Sequence, residues 1–403
     1  MQAVTRRVVI TGAGTINALG LDVVSTQAAM AGGRCAIGPL DIPDLDRLSI
    51  RIGAQVTGFD PEAHVPRNRL AMLDRATIFA LAAAAEAVNR SGLDVAALGD
   101  RAGVVLGCSG GGFTSQDAAY RATYAEGRDR VHPFTVPKVM NSAPTAQLSM
   151  AHGARGPAYT VSSACASSNH AIAQAVLAIR SGMADAMLTG GTEAMLCFGG
   201  IKAWEGLRVM SRDTCRPFCA TRSGMVQGEG AAVFVLESRD GALARGAPIL
   251  AEIAGVAMCA DAADIVLPAA EGAARAMRGA LRDGDLAPDR IGYVNAHGTG
   301  TAANDRVEAQ AIREVFGADV PMVSSTKSMH GHCIGATGGL ELLACLMALG
   351  DGIIAPTVNF READSDCPLD VVPNTARRAR VDACLSNAFA FGGMNAVLAL
   401  TAA

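Results

Sequence analysis

The sequence predicts an α/β fold with mostly parallel sheets. Two observations carry that prediction. Short β-rich runs alternate with Ala-rich helical runs, and 45 glycines suit many tight strand-to-helix turns. The second half of the chain also echoes the first, as a duplication or as shared α/β composition would make it. The first strand is 7–11, an Arg-Val-Val-Ile-Thr run. Residues 75–91 follow as a buried helix, Ala-rich, carrying Glu86, its apolar run bounded by Asp74–Arg75 and Arg90. Strands 103–106 and 158–161 come next, then a small-residue turn into helix 167–181. Strands 186–189, 232–236 and 249–256 precede helix 269–282. Strand 293–295 leads to helix 305–316, strand 322–324 to helix 335–349, and strand 397–400 closes the chain. The echo pairs 161–163 with 323–325, and 103–107 with 291–298. It places a boundary near 245–248, giving halves 1–245 and 246–403.

Composition excludes several classes. The 403 residues are 50% hydrophobic and 18% charged, which rules out disorder and coiled coil for most of the chain. A net charge of −4 lacks the basic footprint of a nucleic-acid binder. The apolar run after Arg6 and Arg7 is too short for a signal peptide, and no uncharged apolar run of ~18 residues predicts a membrane span. Eleven cysteines with no CxxC pair suit free thiols in a reducing cytoplasm. His330-Gly331-His332-Cys333 lacks zinc-finger spacing, so no metal is expected. Gly12-Ala13-Gly14 reads as a structural turn, because Asn17 stands where a dinucleotide loop needs its third glycine.

Two regions carry candidate chemistry. Cys165, in Ser162-Ser163-Ala164-Cys165-Ala166-Ser167, sits between an apolar strand and a helix. Free N–H groups and the helix dipole favour a thiolate there, as at a nucleophile elbow. In the second half, His297 follows one strand in a Gly/Thr loop, and Lys327, His330 and His332 follow another. Such loops gather at the carboxyl ends of strands, where ligands bind. A Cys, His and Lys set is compatible with a metal site, a Cys–His hydrolase or acyl transfer. Spacing does not choose between His330 and His332.

Six motifs in order change the weight of these alternatives. They are SSACAS with Cys165, NAHGTGT with His297, STKSMHGH with Lys327 and His332, ATGGLE with Glu341, and FAFGG with Phe391, after RRVVITGAG at 6–14. Together they resemble the elongating β-ketoacyl-[acyl carrier protein] synthases over essentially the whole chain. The resemblance implies the thiolase fold, two duplicated α/β halves in five αβαβα layers. It selects His332 and implies an acyltransferase that condenses an acyl group on Cys165 with malonyl carrier protein, releasing CO2. Cys165 and Phe391 N–H groups would form the oxyanion hole, and His297 and His332 would bind the malonyl thioester carbonyl. Lys327 and Glu341 would orient the histidines, with Asp305 and Glu308 beside them. Thr299 and Thr301 would contact the pantetheine arm. Phe389 would border the substrate, and Phe391 would gate the site with Gly392 and Gly393 as its hinge.

The resemblance also implies a homodimer and an acidic acyl carrier protein as partner, docking at Arg67, Arg69, Lys138 or Arg212, and no cofactor. The chain departs from the family at Cys219, Ser223, Met225, Asn304, Ala390 and Met394, none of them catalytic. Gly110 stands where a larger residue often limits the acyl pocket, which leaves room for long or unsaturated chains. These departures suggest a specialised enzyme of nodulation or aryl-polyene type, beside which a housekeeping enzyme of type II fatty-acid biosynthesis stays open. A non-catalytic partner subunit is the remaining alternative.

Overall fold

The computed structural model describes residues 6–403. Ten strands form its central sheet: β1 (Val8–Asn17), β2 (Ala102–Gly107), β3 (Ala158–Val161), β4 (Ala186–Glu193), β5 (Gly230–Ser238), β6 (Ala251–Ala260), β7 (Tyr293–Asn295), β8 (Met322–Ser324), β9 (Ala383–Ala390) and β10 (Met394–Thr401). The spatial order is β8-β7-β9-β10-β6-β1-β5-β4-β2-β3. Counted inward from either edge, the two halves use their strands in the same order: 3-2-4-5-1 in the first and 8-7-9-10-6 in the second. The topology is therefore a duplication, joined at the centre where β1 pairs with β6.

The expectation of mostly parallel pairing needs correction. β2 with β3 and β4, and β7 with β8 and β9, are parallel. The five central pairings are antiparallel. β9 turns straight back into β10 through residues 391–393, and such a tight return imposes antiparallel pairing. β9 was absent from the sequence reading because Ser386 and Asn387 interrupt its apolar pattern; both are buried in the structure.

The helices supply the other layers. They are α1 (Arg75–Ser91), α2 (Ser167–Arg180), α3 (Phe198–Gly206), α4 (Ala270–Asp283), α5 (Ala302–Phe316) and α6 (Thr337–Asp351). α2 and α6 lie inside, packed with Ile10, Phe234, Tyr293 and Leu398 from both halves of the sheet. α1 covers one outer face through Phe79 and Ala83 against Val104 and Val233. α4 and α5 cover the other, against Val294, Leu385 and Val397. Strand side chains alternate between the layers, so Phe234 points in where Val233 and Val235 point out. This is the five-layered αβαβα arrangement. The run Ile334–Asp351 is long and apolar enough to cross a membrane by composition, but 89% of it is buried within the fold as the α6 region.

Gly12 and Gly14 do not make a turn. They lie within β1, beside a register shift after Ile10, and α1 rests directly on them. A Cβ at Gly12 would sit 2.1 Å from the Ala87 carbonyl oxygen, and one at Gly14 2.0 Å from that of Ala83. Close helix-to-strand approach explains both glycines.

Candidate active site

Each half turns from an edge strand into its inner helix through the same strained step. Ala164, at φ +47°, opens a 3-10 turn Ala164–Ala166 ahead of α2, and Ile334, at φ +44°, opens Ile334–Ala336 ahead of α6. Left-handed backbone at non-glycine residues is costly and concentrates at sites where geometry is imposed. The two helix starts meet through small residues. Ser168 Oγ donates to the Gly335 carbonyl at 2.5 Å, and a Cβ at Gly338 would collide with Asn169 Oδ1 at 2.0 Å. That approach brings Cys165 next to the loop carrying His332.

The Cys165 sulfur and one ring nitrogen each from His297 and His332 lie within 4.8 Å of one another. The imidazoles meet edge to face with centroids 5.5 Å apart. Both are buried, and burial holds them well below the ordinary histidine pKa, with the Lys327 charge adding to the effect. Both are therefore neutral. The Ile334 N–H donates to His332 Nδ1 at 3.0 Å, and Thr337 Oγ1 lies 2.9 Å from the same nitrogen. Nδ1 is thus an acceptor, and Nε2 carries the proton. That Nε2 is buried without a protein partner, as is His297 Nδ1. His330 is turned away, its ring bonded to the Gly331 carbonyl at 2.7 Å and to Thr326 at 2.9 Å.

Cys165 is 5% exposed. The expected thiolate is not the resting form, because burial pushes this thiol up to about 12. Lys327 and the N–H groups of Phe391 and Cys165 itself act in the opposite direction without overcoming burial. Alkylation of Cys165 by iodoacetamide is accordingly expected to keep accelerating above pH 9. A plateau near neutrality in a mass-resolved pH series would contradict this.

Buried acids shape the loops. Lys327, 0% exposed, donates from Nζ to the His297 backbone carbonyl and to Glu341. Burial raises Glu341 to about 7 against the pull of that ammonium. The ion pair therefore positions the His297 backbone rather than either ring; Thr337 and Ile334, missed in the sequence reading, orient His332. Glu308 accepts the N–H groups of His297 and Gly298 at 2.8 and 2.7 Å, and Asp305 accepts those of Phe218 and Gly300 at 2.8 and 3.2 Å. Both acids are buried, and burial raises their pKa.

A cavity of about 170 Å³ reaches this centre, lined by Cys165, His297, His332, Thr299, Thr301 and Phe389 among others. Phe391 stacks on Trp204 of α3, centroids 5.8 Å apart and planes 24° off parallel. Trp204 was not foreseen, because Gly199 and Gly200 obscure its helix. Gly392 and Gly393, at φ +80° and +67°, make the β9–β10 turn and do not line the cavity. Gly110 is a further correction. It lies outside the cavity wall, and the space beside it is filled: an added Cβ would meet Met195 Sδ at 2.9 Å and Glu193 Oε1 at 3.2 Å. Of the four candidate docking residues none lines the cavity, and Arg69 is engaged with Gln147 at 2.7 Å.

Cys165, His297 and His332 form a donor set of a kind zinc accepts. A metal-binding Nε2 requires an Nδ1 that donates to its surroundings. At His332 the Ile334 N–H already donates to Nδ1, so this set is disposed to donate a hydrogen bond rather than ligate a metal. The neutral His332 N–H donor beside a sulfur, with the backbone N–H groups of Phe391 and Cys165 at that sulfur, suits chemistry on a thioester.

Residues 5–242 match the family described as beta-ketoacyl synthase, N-terminal domain, and 250–361 match its C-terminal domain. The chain is 50% identical over 397 residues to nodulation protein E of Rhizobium sp. (strain N33), covering 98% of each. It is 39% identical over 403 residues to 3-oxoacyl-[acyl-carrier-protein] synthase 2 of Staphylococcus aureus (strain COL), covering 98% of this chain and 97% of that one. A solved ketosynthase, in complex with its type II PKS acyl-carrier protein, superposes with a TM-score of 0.90 at 28% identity, covering 99% and 100%. With both halves of the chain matched, this protein belongs to the β-ketoacyl synthase family.

Proposed function

We propose that the chain catalyses decarboxylative Claisen condensation in the cytoplasm, with Cys165 as nucleophile and no cofactor. The observation that carries this reading is the neutral His332 with its Nε2–H free, within 4.8 Å of the Cys165 sulfur. Acyl transfer comes first. The Cys165 sulfur attacks the carrier thioester, and its proton passes to the departing pantetheine thiol, with neutral His297 in reach to carry it. The N–H groups of Cys165 and Phe391 receive the oxyanion. Malonyl carrier protein then enters past Thr299 and Thr301. The bond to the malonyl carboxylate breaks, CO2 leaves, and the electron pair becomes an enolate whose oxygen accepts from His297 and His332. The enolate carbon attacks the acyl-Cys165 carbonyl. Collapse expels the Cys165 sulfur as a thiolate, which takes up a proton from solvent, and yields β-ketoacyl carrier protein.

Among related pathways, we favour a specialised acyl chain. Identity to a nodulation protein E is 50%, against 39% to a 3-oxoacyl synthase. The carrier-docking patch we favour is a basic cavity of about 330 Å³ where Lys138 joins Arg128, Arg130 and His132. A homodimer through β3 fits the sheet edge, where Tyr159 is 42% exposed.

The test is mass spectrometry of the protein with carrier proteins bearing acyl chains of graded length, then malonyl carrier protein. The expected result is an acyl adduct on Cys165 that turns over into a product two carbons longer. No adduct with any chain would move the non-catalytic partner reading to first place. The chain-length profile separates a housekeeping enzyme from a specialised one.

A further inference from the structure

One buried carboxylate beside the catalytic centre has no part in the chemistry above. Glu193, the last residue of β4, is 0% exposed, and no ion pair among the described residues includes it. Its Oε2 accepts the N–H of Ser109 at 2.9 Å and that of Gly335 at 3.0 Å. Its Oε1 accepts the N–H of Gly110 at 3.0 Å and faces the Cys108 thiol at 3.9 Å. Burial raises this carboxyl to about 7 against the pull of those three N–H groups, and the nearby Asp74 charge adds to the rise. An unpaired carboxylate in the interior is costly, and complete hydrogen bonding is what makes it tolerable.

The three donors come from both halves of the fold. Ser109 and Gly110 follow β2, whereas Gly335 follows the His332 loop. Gly335 is next to Ile334, whose N–H sets the His332 tautomer. The glycines leave room for the acid: a Cβ at Gly335 would lie 2.6 Å from Oε2, and one at Gly110 3.2 Å from Oε1. We propose that Glu193 is a positioning residue for the decarboxylation step, holding the Ile334–Gly335 turn so that His332 Nε2–H stays aimed at the thioester carbonyl. The proposal rests on the condensing reading. Glu193→Gln keeps the shape but sets an NH2 group against N–H donors, and the turn must shift. Acyl transfer uses the N–H groups of Cys165 and Phe391, which Glu193 does not touch; the Glu193 charge only raises the Cys165 thiol, so removing it does not slow acylation.

The experiment measures the two half-reactions separately in Glu193→Gln and Gly335→Ala, which disturb the contact from its two sides. In both, kcat for CO2 release from malonyl carrier protein should fall about tenfold or more, with KM for that carrier unchanged. Acylation of Cys165 should stay within about threefold of wild type, a difference worth under 1 kcal/mol by the same relation. An equal fall in both half-reactions, or in neither, overturns the proposal. Gly110→Ala meets the same carboxylate more gently and should show a smaller loss confined to decarboxylation; it decides the matter if the stronger variants do not fold. A wild-type protein that neither acylates nor releases CO2 would overturn the condensing reading itself.

Discussion

In His332→Ala, malonyl decarboxylation is expected to fall by about 100–1000-fold, the loss typical of removing one preorganised donor to a developing oxyanion. Cys165 should still take up acyl groups, because its own N–H and that of Phe391 remain. The split follows from geometry. His332 Nε2 is a buried donor with no protein partner, whereas its Nδ1 is committed to the Ile334 N–H. Its neutrality matters too, since an uncharged imidazole donates without losing its proton to the enolate. Alanine also orphans the Ile334 N–H and the Thr337 hydroxyl, at about 1–3 kcal/mol of stability. Acyl uptake and thermal unfolding should therefore be measured together. His332→Asn restores an N–H donor and should recover part of the decarboxylation. Decarboxylation at wild-type rate in His332→Ala would remove this residue from the chemistry.

The second large effect is on stability. Lys327→Met leaves Glu341 buried without its cation, and breaking such a pair by removing one partner costs about 3–5 kcal/mol. Urea unfolding should show a loss of that size, with decarboxylation falling because the His297 carbonyl loses its anchor. The pH dependence has a definite sign. Even beside Lys327, burial holds Glu341 at about 7, above its ordinary 4.5. A carboxyl with a raised folded pKa binds more protons folded than unfolded, so its contribution to stability falls as pH rises from 4.5 to the folded value. Without Lys327 that value rises further. The deficit of Lys327→Met should therefore stay level from pH 5 to about 7, where Glu341 holds its proton in both folded forms, and grow above pH 7, where the wild type alone has released it. Equal deficits at pH 5 and 8 would mean that Glu341 is not their source.

Much of the site was legible because its signals are local. The turn before α2 marks Cys165 by small residues packed between a strand and a helix. His297 and Lys327 stand in loops after β7 and β8, and the motif match separated His332 from His330. Where the reading failed, a non-local force had decided. At Cys165, burial by both halves of the molecule outweighs the helix dipole. Gly110 looked like open space because Met195, 85 residues away, cannot be placed by pattern. Gly12 and Gly14 resembled a turn because the helix pressing on them lies some seventy residues downstream.

The sequence by itself determined the alternation of strands and helices and the turn that carries Cys165, because each depends on periodicity or turn chemistry within a few residues; the duplication and the choice of His332 came from the ordered set of motifs along the whole chain. The tertiary structure alone decided that α2 and α6 cross closely enough to bring Cys165 beside His332. It also decided that the Ile334 N–H sets the proton on Nε2, and that Glu193 joins the loops of the two halves. These outcomes depend on sheet register and on helix contact between segments more than 140 residues apart, and no local pattern encodes that separation.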